Sequence, residues 1–477
     1  MKIELFALNG SFAHSNLAAR ALRTALGDAG FEEVGITEAT LRDRSAAVLE
    51  RLVAADAALY GFSCYIWNIE EMLALAEDLR AVRPDCRIVL GGPEVSYGTE
   101  RFAKLPFVDC VIAGEGEGAI VTAARMLQNG GTLPRVLTGA PDEKFGERGI
   151  HYRMGEPISS LVYYESSRGC PYSCAFCLSS ATAGVRAKSA EKTLADLAAF
   201  EAFEGHFTVK LVDRTFNFDR ARAKAIWRGL LDRFFTKCYH FEVCAALLDD
   251  ESFEILAAFP KGKVQLEIGL QSTNRETLAE IARHQDPATV IAAAKRLRAV
   301  GNIHVHLDLI AGLPHEDLAS FARSFDAAYP AADLLQLGFL KLLHGTALRH
   351  DAARQGIVFS QKPPYTVLKT ADLSYEDICR LQHVAALTDR LCEKGRFRRS
   401  LDFLMARVSS AFGFFDGFAA YLAHRDGREL SKISQRELFS HVAAFGKGLL
   451  AADEADALAS CLQADFSDFE VRKPPKF

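Results

Sequence analysis

From residue 161 to about 355 the sequence alternates six times between a short apolar run and a longer amphipathic stretch, and nothing else in the chain constrains its fold as tightly. The runs are Leu161–Tyr164, Phe207–Val212, His240–Cys244, Val264–Ile268, Ile303–Leu309 and Leu334–Leu340; the stretches at 190–204, 219–235, 250–258, 274–300 and 316–328 read as helices. Strands that are apolar throughout and separated by helices form parallel sheets with covered faces. Six such strands predict an open, partial (β/α)6 barrel over residues 161–355, with its chemistry at the carboxyl ends of the strands. Those ends carry unusual residues: Cys170 to Cys177, Asp213 to Asn217, Cys244, Gly269 to Ser272, Ala311 to Pro314 and Lys341 to Thr346.

The first of these ends, Arg168-Gly169-Cys170-Pro171-Tyr172-Ser173-Cys174-Ala175-Phe176-Cys177, spaces its cysteines as C-x3-C-x2-C. Three soft thiolates on one short loop can hold three irons of a cubane cluster. The fourth iron then stays open to a substrate or cofactor, which suits an activating cluster better than an electron relay. A structural zinc site asks for four protein ligands, often as paired C-x2-C units, and the loop offers one such pair. A disulfide framework belongs to short secreted chains; this one has 477 residues, and Met1 to Phe6 reads as a first strand instead of a secretory leader.

Residues 1–140 show the same alternation, with strands at Ile3–Leu8, Ala57–Phe62, Arg87–Leu90 and Val108–Ala113 and helices near 16–29, 44–55, 67–82 and 117–128. This predicts a doubly wound parallel sheet, an α/β domain that binds ligands at its carboxyl edge. The loops on that edge are Asn9 to Asn16, Ser63-Cys64-Tyr65-Ile66-Trp67-Asn68, Gly91-Gly92-Pro93-Glu94 and Gly114-Glu115-Gly116-Glu117. Paired glycines let a backbone approach a large flat or phosphorylated ligand. The charged, glycine-bearing run Pro141 to Gly149 opens a linker over 141–160, and residues 356–477 read as a helical C-terminal domain. There the aromatic cluster Phe412, Phe414, Phe415, Phe418 and Tyr421 reads as core or as a pocket beneath a cap. The basic run Lys394 to Arg399 reads as a solvated face or as a hold on an anionic substrate.

A net charge of -5 gives no global electrostatic case for nucleic acid, and no run of about 18 apolar residues suggests a membrane span. Eleven cysteines, of which only three cluster, fit a reducing compartment, so the expected location is the cytoplasm.

The cysteine loop, with Phe176 just before its third cysteine, resembles that of the radical S-adenosylmethionine (SAM) enzymes, and the resemblance extends over the six-strand region. The N-terminal third resembles the cobalamin-binding domain fused to one large branch of that family, with Gly91-Gly92-Pro93 and Gly114 to Glu117 the nearest matches. The resemblance implies a [4Fe-4S] cluster on Cys170, Cys174 and Cys177. It places the Phe176 backbone against the SAM adenine, Glu267, Gln271 and Ser272 near the ribose or amino-acid portion, Ile310, Gly312 and Leu313 as the adenine wall, and Asp213 near the methionyl amine. For each polar residue the alternative is an ordinary hydrogen bond at the barrel rim. The family's Gly-Gly-Glu segment after the second strand is absent.

The same resemblance implies a corrinoid over the edge formed by Ser63, Tyr65, Trp67, Gly91, Gly92, Gly114 and Glu115. The Asp-x-His-x-x-Gly motif of other cobalamin domains would need Asp at 12 and Gly at 17 around His14, where the chain has Phe12 and Leu17. The expectation is therefore a base-off cobalamin whose lower face meets the loop of Tyr65 and Trp67, unless those two rings pack in the core. The implied activity is methylation of an unactivated carbon through a 5'-deoxyadenosyl radical and methylcobalamin, with an external one-electron donor such as flavodoxin or ferredoxin. The alternatives are a cobalamin-assisted cyclase or rearrangement enzyme and a non-catalytic redox or corrinoid sensor. A methylthiotransferase would want a second cysteine cluster, and Cys64, Cys86 and Cys110 are widely spaced.

Overall fold

The computed structural model describes residues 1–181, 184–233, 236–392 and 395–469. The chain forms two compact units. One comprises Met1–Glu242, Leu342–Arg349 and Ser360–Tyr365; the other comprises Val243–Lys341, His350–Phe359 and the chain from Thr366 onward.

The first unit opens with β1 (Ile3–Asn9), α1 (Leu17–Asp28), β2 (Val34–Thr40), α2 (Ser45–Ala55), β3 (Leu59–Ser63), α3 (Ile69–Val82), β4 (Arg87–Gly91), α4 (Pro93–Ser96), α5 (Thr99–Ala103), β5 (Cys110–Gly114), α6 (Gly116–Gln128) and β6 (Val136–Gly139). The six strands are parallel in the order β2-β1-β3-β4-β5-β6. Every residue of β1 is buried, and separate apolar cores lie on the two faces of the sheet. Strand order reverses between β1 and β3, so the loops leaving these two strands diverge and open a crevice at the carboxyl edge. Two strands go beyond the sequence reading. β2 is a half-buried edge strand rich in polar residues, and β6 is a short, largely exposed edge, so neither carries the continuous apolar signal of the inner strands.

The same unit continues through β7 (Leu161–Tyr164), β8 (Ser167–Gly169), β9 (Val185–Ala187), α7 (Ala190–Ala199), β10 (Thr208–Leu211), α8 (Arg220–Leu231) and β11 (Cys238–Val243). β7, β10 and β11 are parallel barrel strands. β8 and β9 form an antiparallel pair that brackets the cysteine loop. The segment expected to be a linker is packed: Phe145 is buried beneath Arg168, Arg186 and Lys188.

The second unit contains α9 (Asp250–Ala257), β12 (Val264–Gln271), α10 (Arg275–Glu280), α11 (Pro287–Val300), β13 (His304–Ala311), α12 (Leu318–Ala328), β14 (Leu334–Phe339), α13 (Ala347–Asp351), β15 (Val358–Phe359), β16 (Val367–Lys369), α14 (Tyr375–Cys392), α15 (Arg398–Met405), α16 (Ala411–Arg425), α17 (Gln435–Lys447) and α18 (Ala455–Phe469), except that α13 begins within the first unit. β12, β13 and β14 are parallel and complete the strands of the partial barrel. The helix expected over 274–300 is broken between α10 and α11, where Ala282 takes φ 52°. Residues 400–412 divide between α15 and α16 because Ser410 caps the latter.

The aromatic cluster of α16 is core. Phe412, Phe414, Phe415 and Phe418 are buried, and Phe325 and Phe445 pack against them. Of the basic run, Lys394 lies outside the described residues; Phe397 is buried on Phe439, and Arg399 pairs with Asp465 and Asp468.

Candidate functional site

At the carboxyl edge of the first sheet, Asn68 fixes the loop after β3. Its buried amide donates to the carbonyls of Leu8 (3.0 Å) and Ser63 (3.2 Å), and its Oδ1 accepts from the Tyr65 amide (2.8 Å). The loop then presents Tyr65 and Trp67 as a stacked pair, 4.4 Å between centroids, with Trp67 50% exposed. A half-exposed indole does not serve the core, so the packing alternative fails for Trp67. Ser63 is buried beneath this loop.

The loop after β1 places His14 beside β7, where its Nδ1 lies 2.7 Å from the Tyr163 hydroxyl. Gly92 takes φ 115°, and a Cβ there would lie 2.4 Å from the Cys64 carbonyl oxygen. Its glycine is demanded by the neighbouring loop, not by a ligand. The same holds at Gly114, with φ 94° and the Gly139 carbonyl 2.7 Å away, whereas a Cβ at Gly91 would make only an ordinary contact with the Ile112 Cβ, 3.9 Å away.

The cysteine loop begins at the end of β8. Cys174 is buried, Cys170 and Cys177 are half-buried, and among the described residues no cysteine is in a disulfide. Its turn is closed by the Cys177 amide donating to the Cys174 carbonyl (3.1 Å) and by the Ser180 hydroxyl donating to the Cys177 carbonyl (2.6 Å). Phe176 is half-buried on the same loop. Among the described residues no group of three His, Cys, Asp or Glu side chains converges as one metal ion requires. A cubane asks less convergence, because each corner takes its own thiolate.

Asp213 lies beneath the start of β8. It is fully buried, and its oxygens accept from the hydroxyls of Ser166 (3.0 Å to each oxygen) and Ser167 and from the Ser166 amide, with the Arg222 charge nearby. Burial raises its pKa. It braces the strand that leads into the cysteine loop. Glu115 is likewise engaged: its carboxylate receives Arg168 (2.7 Å), Arg186 and the Asp142 amide (2.8 Å).

In the second unit, residues alternate on β12 and β13. Glu267, Gly269 and Gln271 share the half-buried face with His306, Asp308 and Ile310, and Glu267 pairs in register with His306. A register shift between Gly269 and Gln271 puts Gln271 at φ 68°, a left-handed conformation that a non-glycine residue adopts at some cost. Arg283 and Gln285 hold this bulge through the Gly269 carbonyl (2.9 and 3.2 Å). The Gln271 Oε1 is buried with no protein partner, which fits an acceptor reserved for a ligand.

Ser272 and Leu313 are both fully buried. The Ser272 hydroxyl donates to Glu316 (2.5 Å), whose carboxyl is pushed up to about 7 by burial, and Leu313 packs inward. Gly312 is filled by Val367, 2.6 Å from where a Cβ would stand. Sequence reasoning passed over His306, Asp308 and Arg283. The signal for the first two was a polar residue at every second position of an otherwise apolar strand.

Residues 5–124 match the B12 binding domain, and residues 164–328 match the radical SAM superfamily. The chain thus joins a B12-binding-type domain to a radical SAM domain. Residues 353–476 match a family described as a protein of unknown function (DUF4080). The chain is 28% identical over 304 residues to the cobalamin-dependent radical SAM methyltransferase TokK of Streptomyces tokunonensis, covering 54% of this chain and 43% of that one. It thus spans less than half the length of that curated relative.

Two solved structures share the fold of this chain. The radical SAM methyltransferase TsrM of Kitasatospora setae, with cobalamin and a [4Fe-4S] cluster bound, superposes with a TM-score of 0.63 at 16% identity, over 89% of this chain and 99% of that one. The cobalamin-dependent SAM radical enzyme OxsB, with aqua-cobalamin and SAM bound, superposes with a TM-score of 0.62 at 15% identity, over 98% and 84%. No described helix is long and apolar enough to cross a membrane.

Proposed function

We propose that this protein is a cobalamin-dependent radical SAM methyltransferase that methylates an unactivated carbon. The observation that carries the reading is the presence, within one compact unit, of a three-cysteine loop and a parallel-sheet edge bearing a stacked aromatic pair, with Trp67 half-exposed, beside its switch point. When bound, the cluster supplies single electrons, SAM a hydrogen-abstracting adenosyl group, and the corrinoid a transferable methyl group.

The chain's residues bind and orient. Cys170, Cys174 and Cys177 would hold the cluster, and the Phe176 backbone would meet the adenine. Gln271, with its unpartnered Oε1, and Glu267 and Ile310 on the same face would receive SAM, with Ser272 and Leu313 buried behind them and Asp213 supporting the cysteine hairpin. Gly91 and the Tyr65–Trp67 pair would hold the corrinoid at this edge, the two rings offering it apolar cover. The reaction would draw on an external one-electron donor such as flavodoxin or ferredoxin, and free thiols among the described residues suit a reducing cytoplasm.

The test is anaerobic reconstitution with iron, sulfide and hydroxocobalamin, followed by reduction with SAM and candidate substrates and mass spectrometry of the nucleosides. Methyl transfer yields 5'-deoxyadenosine together with S-adenosylhomocysteine. 5'-Deoxyadenosine alone would replace methylation with a rearrangement, and neither product from a fully loaded protein across the substrate panel would favour a sensor.

A further inference from the structure

Arg168 stands two residues before Cys170, and each of its three guanidinium nitrogens donates to a different carboxylate. Nε reaches Glu165 at 2.9 Å, Nη1 reaches Glu115 at 2.7 Å and Nη2 reaches Glu117 at 2.5 Å. The Phe145 ring covers its face, 4.7 Å from Cζ. Glu115 lies between β5 and α6 on the edge assigned to the corrinoid and Glu117 in the first turn of α6, and Glu115 also receives Arg186 from β9, the other leg of the pair that brackets the cysteines. Both legs of the cysteine hairpin are thereby tied to one loop of the B12 domain. Two guanidiniums serve three carboxylates here; without Arg168 the carboxylates would repel one another and release the hairpin.

Resting on the proposed function, we propose that Arg168 is a positioning residue that locks the cluster loop to the β5–α6 junction at Gly114–Glu117 and so fixes the separation between cluster and corrinoid. Arg168 touches neither cofactor in this scheme. Its planar fork sets a direction as well as a charge, and the point charge of lysine cannot replace it.

The test measures the distance distribution between the reduced cluster and cob(II)alamin by pulsed electron paramagnetic resonance, in full-length protein loaded with both. Wild type is expected to give a single narrow distribution. Arg168→Lys is expected to keep full iron and cobalamin stoichiometry with the distribution about doubled in width. Arg135→Met, which removes a guanidinium bonded to the Ala103, Leu105 and Val108 carbonyls away from the hairpin, controls for general loosening and should leave the width unchanged. Should Arg168→Lys fail to fold, Glu117→Gln removes one arm of the fork and should broaden the distribution less. An unchanged width in the hairpin variant, or equal broadening in Arg135→Met, overturns the proposal while the functional reading stands. A wild-type protein that loads only one cofactor overturns both.

Discussion

Replacing Glu316 with Gln should change how the protein's stability depends on pH, and by a calculable amount. The side chain is fully buried, and burial lifts its pKa from 4.5 to about 7 against the opposing hydrogen bonds of Ser272 and Ser324. The folded chain therefore holds this proton more tightly than the unfolded one. The resulting stabilisation is full below pH 4.5 and is lost as pH rises through about 7. The interval corresponds to about 3 kcal/mol at about 1.4 kcal/mol per pH unit. At about 2–4 °C per kcal/mol for a unit of this size, it amounts to a Tm difference of about 6–12 °C.

Glutamine copies the shape and hydrogen bonding of the protonated acid but does not titrate. Glu316→Gln should melt within about 2–4 °C of wild type at pH 5, where about 1 kcal/mol of the stabilisation is already lost, and further above it at pH 8.5. Every other titrating group is common to both proteins and cancels in the difference. Melting curves recorded by circular dichroism between pH 5 and 8.5 decide the matter. Parallel curves, or a gap that widens toward acid, would refute the reasoning.

Replacing Cys170, Cys174 and Cys177 together by Ala should abolish iron binding by elemental analysis while cobalamin binding persists in the visible spectrum; loss of both would argue against separable cofactor sites. Trp67→Ala, at a half-exposed ring, should cost no more than about 0.5 kcal/mol of stability yet alter the visible spectrum or affinity of bound cobalamin; an unchanged titration would remove Trp67 from the corrinoid face. Tyr365→Phe should cost about 1–3 kcal/mol in chemical denaturation, because the buried Glu94 carboxylate loses the phenol and keeps Arg101 at 2.6 Å.

The parts of this fold that announce themselves in sequence are those whose local pattern reports burial. β1, β3 and β4 are apolar nearly end to end and were readable. β2, with the sequence Val-Gly-Ile-Thr-Glu-Ala-Thr, shares its faces with solvent and was not. The three-residue strands β8 and β9 are set by pairing with each other, which a period of two cannot reveal at that length. Residues 342–349 and 360–365 return to the first unit because the Tyr365 phenol meets Glu94, far away in sequence, and no local signal encodes such a contact.

The candidate site divides along the same line. The three cysteines were legible because their chemistry depends on spacing alone. Asp213, Ser272 and Leu313 stand at strand ends, as the argument from topology required, but being at a strand end does not determine which way a side chain turns. Asp213 turns under β8 because Ser166 and Ser167 offer it two hydroxyls, and Ser272 turns inward because Glu316 needs a donor. Gln271, one residue from Ser272, keeps an unpartnered acceptor because the bulge at Gly269 re-aims it. What separates a supporting residue from a ligand-facing one here is a one-residue shift in register, and that shift depends on Arg283 and Gln285 gripping the Gly269 carbonyl from beyond the strand.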